Sequence, residues 1–406
     1  MTTYQTSANF LVALKREVTL GTAPGAAGGT GLRIIASPGL KLARGRIQSA
    51  ELRDDGVRAP GRLGGKSVSG SYNAEASAGG GNDILLEAVM RGTWSASSAL
   101  TTATGVGACV DLTAATTSTI TRTGSGSFVT DGWMVGDVAR LASYSTAADN
   151  DINLFVKSVA AATLTFFGTP LTVGAADTAC TLTRLKKVVT PASPVRVSHY
   201  VEQYYEDIDI SECFSGCRVT GLKITAQPKQ PVQLAWTMMG LDRTALASAA
   251  SPYYTTPAFT TGQTFVIDDA VVAYDGGTVA NLTGFDLDLT IAAKGVDMIG
   301  SLTSPDIFDN ILAVEGTISG LAADFAQVTK FDAETEFEFG AMMAVPGTAP
   351  VDTWSLYGSR LMFTELDRSQ LSGDGAQIVT AKVEVKPKVA ASGYDATPLS
   401  FCSTGA

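Results

Sequence analysis

KSVSGSYNAEASAGGGNDILLEAVMRGTW, residues 66–94, decides how the rest of the chain is read. Val68, Gly70, Tyr72, Ala74 and Ala76 point one way, and Ser67, Ser69, Ser71, Asn73, Glu75 and Ser77 the other. Period two of this kind predicts a half-buried strand in an antiparallel sheet. Asn82 suits a helix N-cap and Gly92 the position just past a helix end, so a short helix is expected between them. Asp83, Glu87 and Arg91 recur every four residues as a narrow polar stripe, while Ile84, Leu85, Leu86, Ala88, Val89 and Met90 cover the rest. A helix so apolar must lie against a sheet or a neighbouring subunit. Upstream, the module starts at Gly45 with a strand and a long loop of mixed charge, Arg53-Asp54-Asp55-Gly56-Val57-Arg58-Ala59-Pro60-Gly61-Arg62. Mixed charges of this kind suit contact with another subunit, since they set register and orientation.

The chain has 406 residues, 45% of them apolar and only 17% charged, with 42 glycines. That balance suits many strands joined by tight turns rather than helical bundles. A net charge of −10 argues against nonspecific binding of DNA phosphates, although not against DNA passing through an acidic pore. Five cysteines without regular spacing make a poor disulfide framework. The start, MTTYQTSANF, lacks the basic and apolar segments of a secretory signal, and no apolar run is long enough for a membrane span. The chain is expected to be soluble, reduced when made and not exported by a cleaved signal.

Residues 1–44 read as an N-terminal arm with a Gly-, Ala- and Pro-rich loop from Gly21 to Gly31, and 95–104 as a Ser/Ala/Thr linker. Residues 105–185 read as an inserted small β domain: Ile120, Phe128 to Val138 and Val156 to Phe167 as short strands, with turns at Gly124, Gly132, Gly136 and Asp149-Asn150-Asp151. An inserted domain needs its ends close together, so Cys109 and Cys180, which bracket it, are expected to be buried neighbours rather than a bridge. The parent fold then spans 45–104 and 186–406.

A repeat follows. Val219-Thr220-Gly221-Leu222-Lys223-Ile224 matches Leu282-Thr283-Gly284-Phe285-Asp286-Leu287, with a fainter echo at Ile47-Gln48-Ser49-Ala50-Glu51-Leu52. Phe285, Leu287, Leu289 and Ile291 share a face while Leu282 is off parity, which predicts a bulge near Gly284. Val314 to Gly320 reads as a strand, Asp324 as a cap, Phe325 to Phe331 as a short helix and Thr335 to Gly340 as a further extended run. This repeats the order seen near 68–95 and points to duplication. Ile378 to Val385 is a last alternating strand.

No motif builds a catalytic or metal site. Gly64-Gly65-Lys66-Ser67 resembles part of a phosphate loop, but Pro60 stands where the first glycine belongs and a strand follows. His199 is the only histidine, and Cys213 and Cys217 have no second pair to complete a zinc site. Asp149-Asn150-Asp151 is too short for a twelve-residue calcium loop. Glu206, Asp207 and Asp209 read as solvated carboxylates. No cofactor is expected, and the chain reads as structural, with strand edges that must be covered or used.

Gly65-Lys66-Ser67-Val68-Ser69-Gly70-Ser71, Asp83-Ile84-Leu85-Leu86-Glu87-Ala88, Gly92-Thr93-Trp94, Phe214-Ser215-Gly216-Cys217-Arg218-Val219 and Asp306-Ile307-Phe308, in this order, resemble the tail tube proteins of long-tailed bacteriophages. The stretch with Gly126-Ser127-Phe128, Asp131-Gly132 and Val135-Gly136-Asp137 is similar to a small β domain often carried by them. The resemblance implies a mainly β, ring-forming sandwich with a short flanking helix, six subunits per ring, and rings stacked into a tube for DNA passage. A chain with two tube domains would close the ring with three copies. It also implies a virion-tail protein assembled in the host cytoplasm. Its partners would be other copies of itself, the tape measure protein and DNA transiently in the lumen, and tail terminator and distal tail proteins.

The inter-ring loop carries over to Arg53–Lys66, with Arg53, Asp54, Asp55, Arg58, Arg62 and Lys66 as its charged residues. Acidic lumen residues would repel passing phosphate over about 8 Å at physiological salt. The polar strand faces offer Glu75, Asp286, Asp288, Glu336, Glu338 and Glu384. A tube of a contractile injection device and a carbohydrate-binding virion decoration protein are the alternatives. Clustered exposed aromatics would favour the last, and Tyr204-Tyr205 and Tyr253-Tyr254 are its only tyrosine pairs.

Overall fold

The computed structural model describes residues 4–51, 54–102, 109, 111–278, 281–322, 326–369, 376–387 and 393–404. The strand read from the opening stretch runs Arg62–Glu75, with Val68, Tyr72 and Ala74 buried as its alternation requires. The helix, Gly80–Met90, begins two residues before the expected cap. Asn82 is not that cap. Its amide is drawn inward, donating to the Glu75 carbonyl and accepting from the Trp236 indole. At the other end Arg91, not Gly92, takes the left-handed turn at φ 52°. Gly92 is small for a different reason, since a Cβ there would stand 2.2 Å from the Val189 carbonyl oxygen.

Fourteen strands and two helices form two copies of one topology. The first copy comprises β1 Phe10–Arg16, β2 Gly39–Ile47, β3 Arg62–Glu75, α1 Gly80–Met90, β4 His199–Tyr205, β5 Ile210–Ala226, β6 Gln233–Gly240 and β7 Asp242–Ala247. The second comprises β8 Ala270–Tyr274, β9 Leu282–Ile291, β10 Leu312–Leu321, α2 Ala326–Asp332, β11 Phe337–Ala344, β12 Thr353–Arg368, β13 Ile378–Val385 and β14 Ser400–Ser403. One layer of the first copy pairs β2–β3–β6 with the C-terminal half of β5. The second copy matches it with β9–β10–β13 and the C-terminal half of β12. The other layer pairs β1–β4–β5–β7 through the N-terminal half of β5, and β8–β11–β12–β14 likewise. All pairs are antiparallel. The two long strands thus pass from one layer to the other, and their apolar faces meet in one core with α1. α1 packs on β5, and α2 on β12.

The expected bulge is present between Leu282 and Gly284. The same shift occurs between Val219 and Gly221 and between Phe363 and Glu365. Each is an apolar–Thr–x–apolar run, at Thr283, Thr220 and Thr364. The similarity of 219–224 to 282–287 is therefore a shared local bulge, because β5 corresponds in topology to β12 and not to β9. Residues read as an arm supply β1 and most of β2, since the apolar Val12 and Leu14 bury in the core. Asp324 and Phe325 lie outside the described residues.

Between α1 and β4 the chain leaves for a separate seven-stranded sheet, in the order Ser98–Thr101, Thr181–Arg184, Val138–Ala142, Leu154–Val159, Thr163–Phe166, Thr119–Thr123, Asp111–Thr116. The supposed linker holds its first strand, paired with its last. Phe128 to Asp137 is a set of turns rather than a strand, with Gly132 and Gly136 at φ 79° and 89°. This sheet has its own core around Phe128, Trp133, Leu141 and Leu164, where Cys109 and Cys180 are both buried and unbridged. It docks on the second copy, where Val138, Phe155 and Phe167 meet Ala273, Met342, Tyr357 and Cys402. Asp137, fully buried, joins Lys187 at 2.7 Å, and Lys187 also reaches Asp395 at 2.9 Å.

Candidate functional surfaces

The face of β9, β10 and β13 turned away from the core is acidic. Phe285, Leu287 and Leu289 point inward, which sends Asp286 and Asp288 outward. Asp288 stands opposite Glu315, and Glu315 opposite Glu384, so three carboxylates occupy one row across three strands. Lys223 of β5 ends the row opposite Asp288. In the next row Asp286 faces Thr317, Thr317 faces Lys382, and Lys382 pairs with Glu365 at 2.5 Å. A shallow depression collects Lys223, Asp286, Asp288, Glu315, Lys382 and Glu384. Like charges directly opposite destabilise a sheet, so this row costs stability.

Of the residues anticipated for this face, Asp286, Asp288 and Glu384 come together, and Glu75 lies on the matching polar face of β3 beside Gln233. Glu336 and Glu338 do not join them. Glu336 is bonded to Arg360, and Glu338 accepts from the Tyr357 hydroxyl on the side that meets the seven-stranded sheet. Phe337 and Phe339 take the core side of β11, which turns Glu338 away. Sequence reading missed Glu315. The Val314–Gly320 alternation carries it, but only the strand register shows its two acidic neighbours.

The mixed-charge loop is shorter than expected. The strand begins at Arg62, so Arg62 and Lys66 belong to β3, where Lys66 is held by Asp242 at 2.8 Å. Asp54 and Asp55 form a turn and Arg58 is exposed; Arg53 lies outside the described residues. The corresponding β9–β10 connection, 292–311, lies alongside β3, where the Lys66 amide donates to the Leu302 carbonyl at 2.6 Å. The end of β2 and both connections expose apolar side chains: Ile47 at 64%, Val57 at 61%, Ile311 at 76% and Ile299 fully.

The remaining chemistry is structural. His199 is fully buried, with no hydrogen-bond partner on either ring nitrogen among the described residues. Burial, with Arg16 nearby, pushes its pKa down to about 4. Cys213 and Cys217 face different clusters because the chain bulges at Gly216, φ 63°. Burial raises both thiols, Cys213 to about 12. Asp207 fastens the N-terminus by accepting from Thr6 and Asn9. Tyr253 and Tyr254 pack on Tyr200, and Tyr204 and Tyr205 bond to Asp209 and Glu212, so the tyrosine pairs form no open aromatic platform. Among the described residues no cluster of His, Cys, Asp and Glu could hold a metal, and no helix is long and apolar enough to cross a membrane.

A duplicated β-sandwich with an acidic sheet face places the chain in the mainly β class. The sequence profile of the phage tail tube protein family matches residues 7–387, and the chain belongs to that family, a component of the virion tail. No curated protein matches it.

Proposed function

We propose that the chain closes into rings around a channel for DNA and that the rings stack into the tail tube. The observation that carries this reading is the row Asp288–Glu315–Glu384, an arrangement costly to the sheet and useful on a wall that must not hold a polyanion. Facing the lumen, these carboxylates repel phosphate within a Debye length of about 8 Å. Glu75, Asp286 and Glu365 extend the same wall. Each chain fills two positions of a six-position ring, so three chains make one ring. The end of β2 at Ile47 and the connections carrying Val57, Ile299 and Ile311 reach the adjoining ring, with Asp54, Asp55 and Arg58 setting orientation. The seven-stranded sheet stands outside as an inserted domain.

Electron microscopy of the purified protein tests this, with threefold rings or stacked tubes expected. A monomer at all concentrations overturns it. The wall is tested separately by Glu315→Lys and Glu384→Lys together in phage. Tails are expected to assemble while DNA release slows, and unchanged release removes the acidic wall from the account.

A further inference from the structure

The layered sheets of the two copies are joined inside the chain by the pairing of β5 with β9, and that pair has an unused counterpart among the described residues. The C-terminal half of β5 carries β6 on one edge and β9, the first strand of the second layered sheet, on the other. The register is Gly221 to Thr290, Leu222 to Leu289, Lys223 to Asp288 and Ile224 to Leu287. By topology β12 corresponds to β5, and β2 to β9. Among the described residues the C-terminal half of β12 has β13 on one edge and no strand on the other, and β2 pairs only with β3. Both lone edges therefore have the same form as the two edges already joined.

Residue equivalences follow from shared partners. Leu40 lies opposite Gly70 and Leu287 opposite Gly316; Leu42 lies opposite Val68 and Leu289 opposite Val314. Leu222 and Ile224 of β5 correspond to Leu366 and Arg368 of β12, through Trp236 and Ala381 on the neighbouring strands. We infer that β12 of one copy pairs antiparallel with β2 of the next, with Glu365 opposite Ala43, Leu366 opposite Leu42 and Asp367 opposite Lys41. The charges argue for this register. Inside the chain lysine of β5 meets aspartate of β9; across copies aspartate of β12 meets lysine of β2. Opposite charges facing across a strand pair support it, and reversed polarity keeps each strand from taking the wrong partner. Leu42 and Leu366, each half-buried at the core margin, would be covered as Leu289 and Leu222 are. α1 packs on β5 and β9 still binds there, so a helix on the long strand does not by itself close its edge.

This inference rests on the ring reading, and its test separates the two. Ala43→Cys and Glu365→Cys in one chain, treated in assembled particles with a short thiol-reactive cross-linker, are expected to give covalent species ending at three chains. The native cysteines are buried and leave the reaction to the new pair. Lys41→Asp alone and Asp367→Lys alone are expected to abolish rings, and the two together to restore them. Both positions are exposed, so each single variant should keep the wild-type circular dichroism spectrum and melting temperature. Rings that form without cross-linking, or single variants that assemble like wild type, overturn the seam and leave the tube reading standing. Failure of the wild-type chain to form rings removes both.

Discussion

His199 and Lys187 show how single side chains set the conditions under which this fold survives. The imidazole is fully buried and its folded pKa of about 4 lies below the ordinary 6.5. The neutral form is therefore favoured in the fold. Its contribution is complete above pH 6.5 and is lost as pH falls toward 4, a range worth roughly 3 kcal/mol. His199→Leu is expected to flatten the fall in melting temperature between those pH values, measured by calorimetry across a pH series. For Lys187, burial alone would lower the ammonium, but the carboxylates of Asp137 and Asp395 outweigh it and hold the group above its ordinary value. That stabilisation is present below about pH 10.5 and is lost as pH rises through the higher folded value. Lys187→Met strands Asp137 without its closest cation, and a loss of about 3–5 kcal/mol is expected in denaturant unfolding.

At the scale of elements, Gly70 and Gly316 hold equivalent places in β3 and β10. A Cβ at Gly70 would lie 2.0 Å from the Gly39 carbonyl oxygen, and one at Gly316 would lie 2.3 Å from that of Asp286. Both hairpins close tightly only because no side chain intervenes. Gly70→Val and Gly316→Val should each destabilise by about 1–3 kcal/mol in thermal melts, as forced overpacking does. The alternation of 66–76 and of 378–385 was legible because one face is buried and the other wet. The bulge at Gly284 was legible from broken parity. Its third occurrence escaped notice because Glu365 fills the place that glycine holds twice, hiding Phe363-Thr364-Glu365-Leu366. The N-terminal strand was obscured by the glycine-rich loop beside it, although Phe10 to Leu14 is apolar enough to pair. The placement of Glu338 could not be read from alternation. Parity says which residues share a strand face; only the second layer and the docked sheet say which face is covered.

For the whole molecule, short motifs in order were enough to reach the family, whereas the acidic row depends on register between strands far apart in the chain. The β9–β10 connection, 292–311, lies against β3, and it and the β2–β3 connection both expose apolar side chains, Val57 on one and Ile299 and Ile311 on the other. Ile299→Asp with Ile311→Asp is expected to leave single rings intact while preventing their stacking, seen as discs in place of tubes by electron microscopy.

The seven-stranded sheet interrupts the first copy, while the matching stretch of the second, from α2 to β11, is a short turn of 333–336. If two copies per chain alternate around a ring, ornamented and plain sectors must alternate too. The tail would then present three knobs per level where an unduplicated subunit carrying the same passenger would present six. The lanes between them would be bare, leaving grooves whose floor the shorter half alone provides.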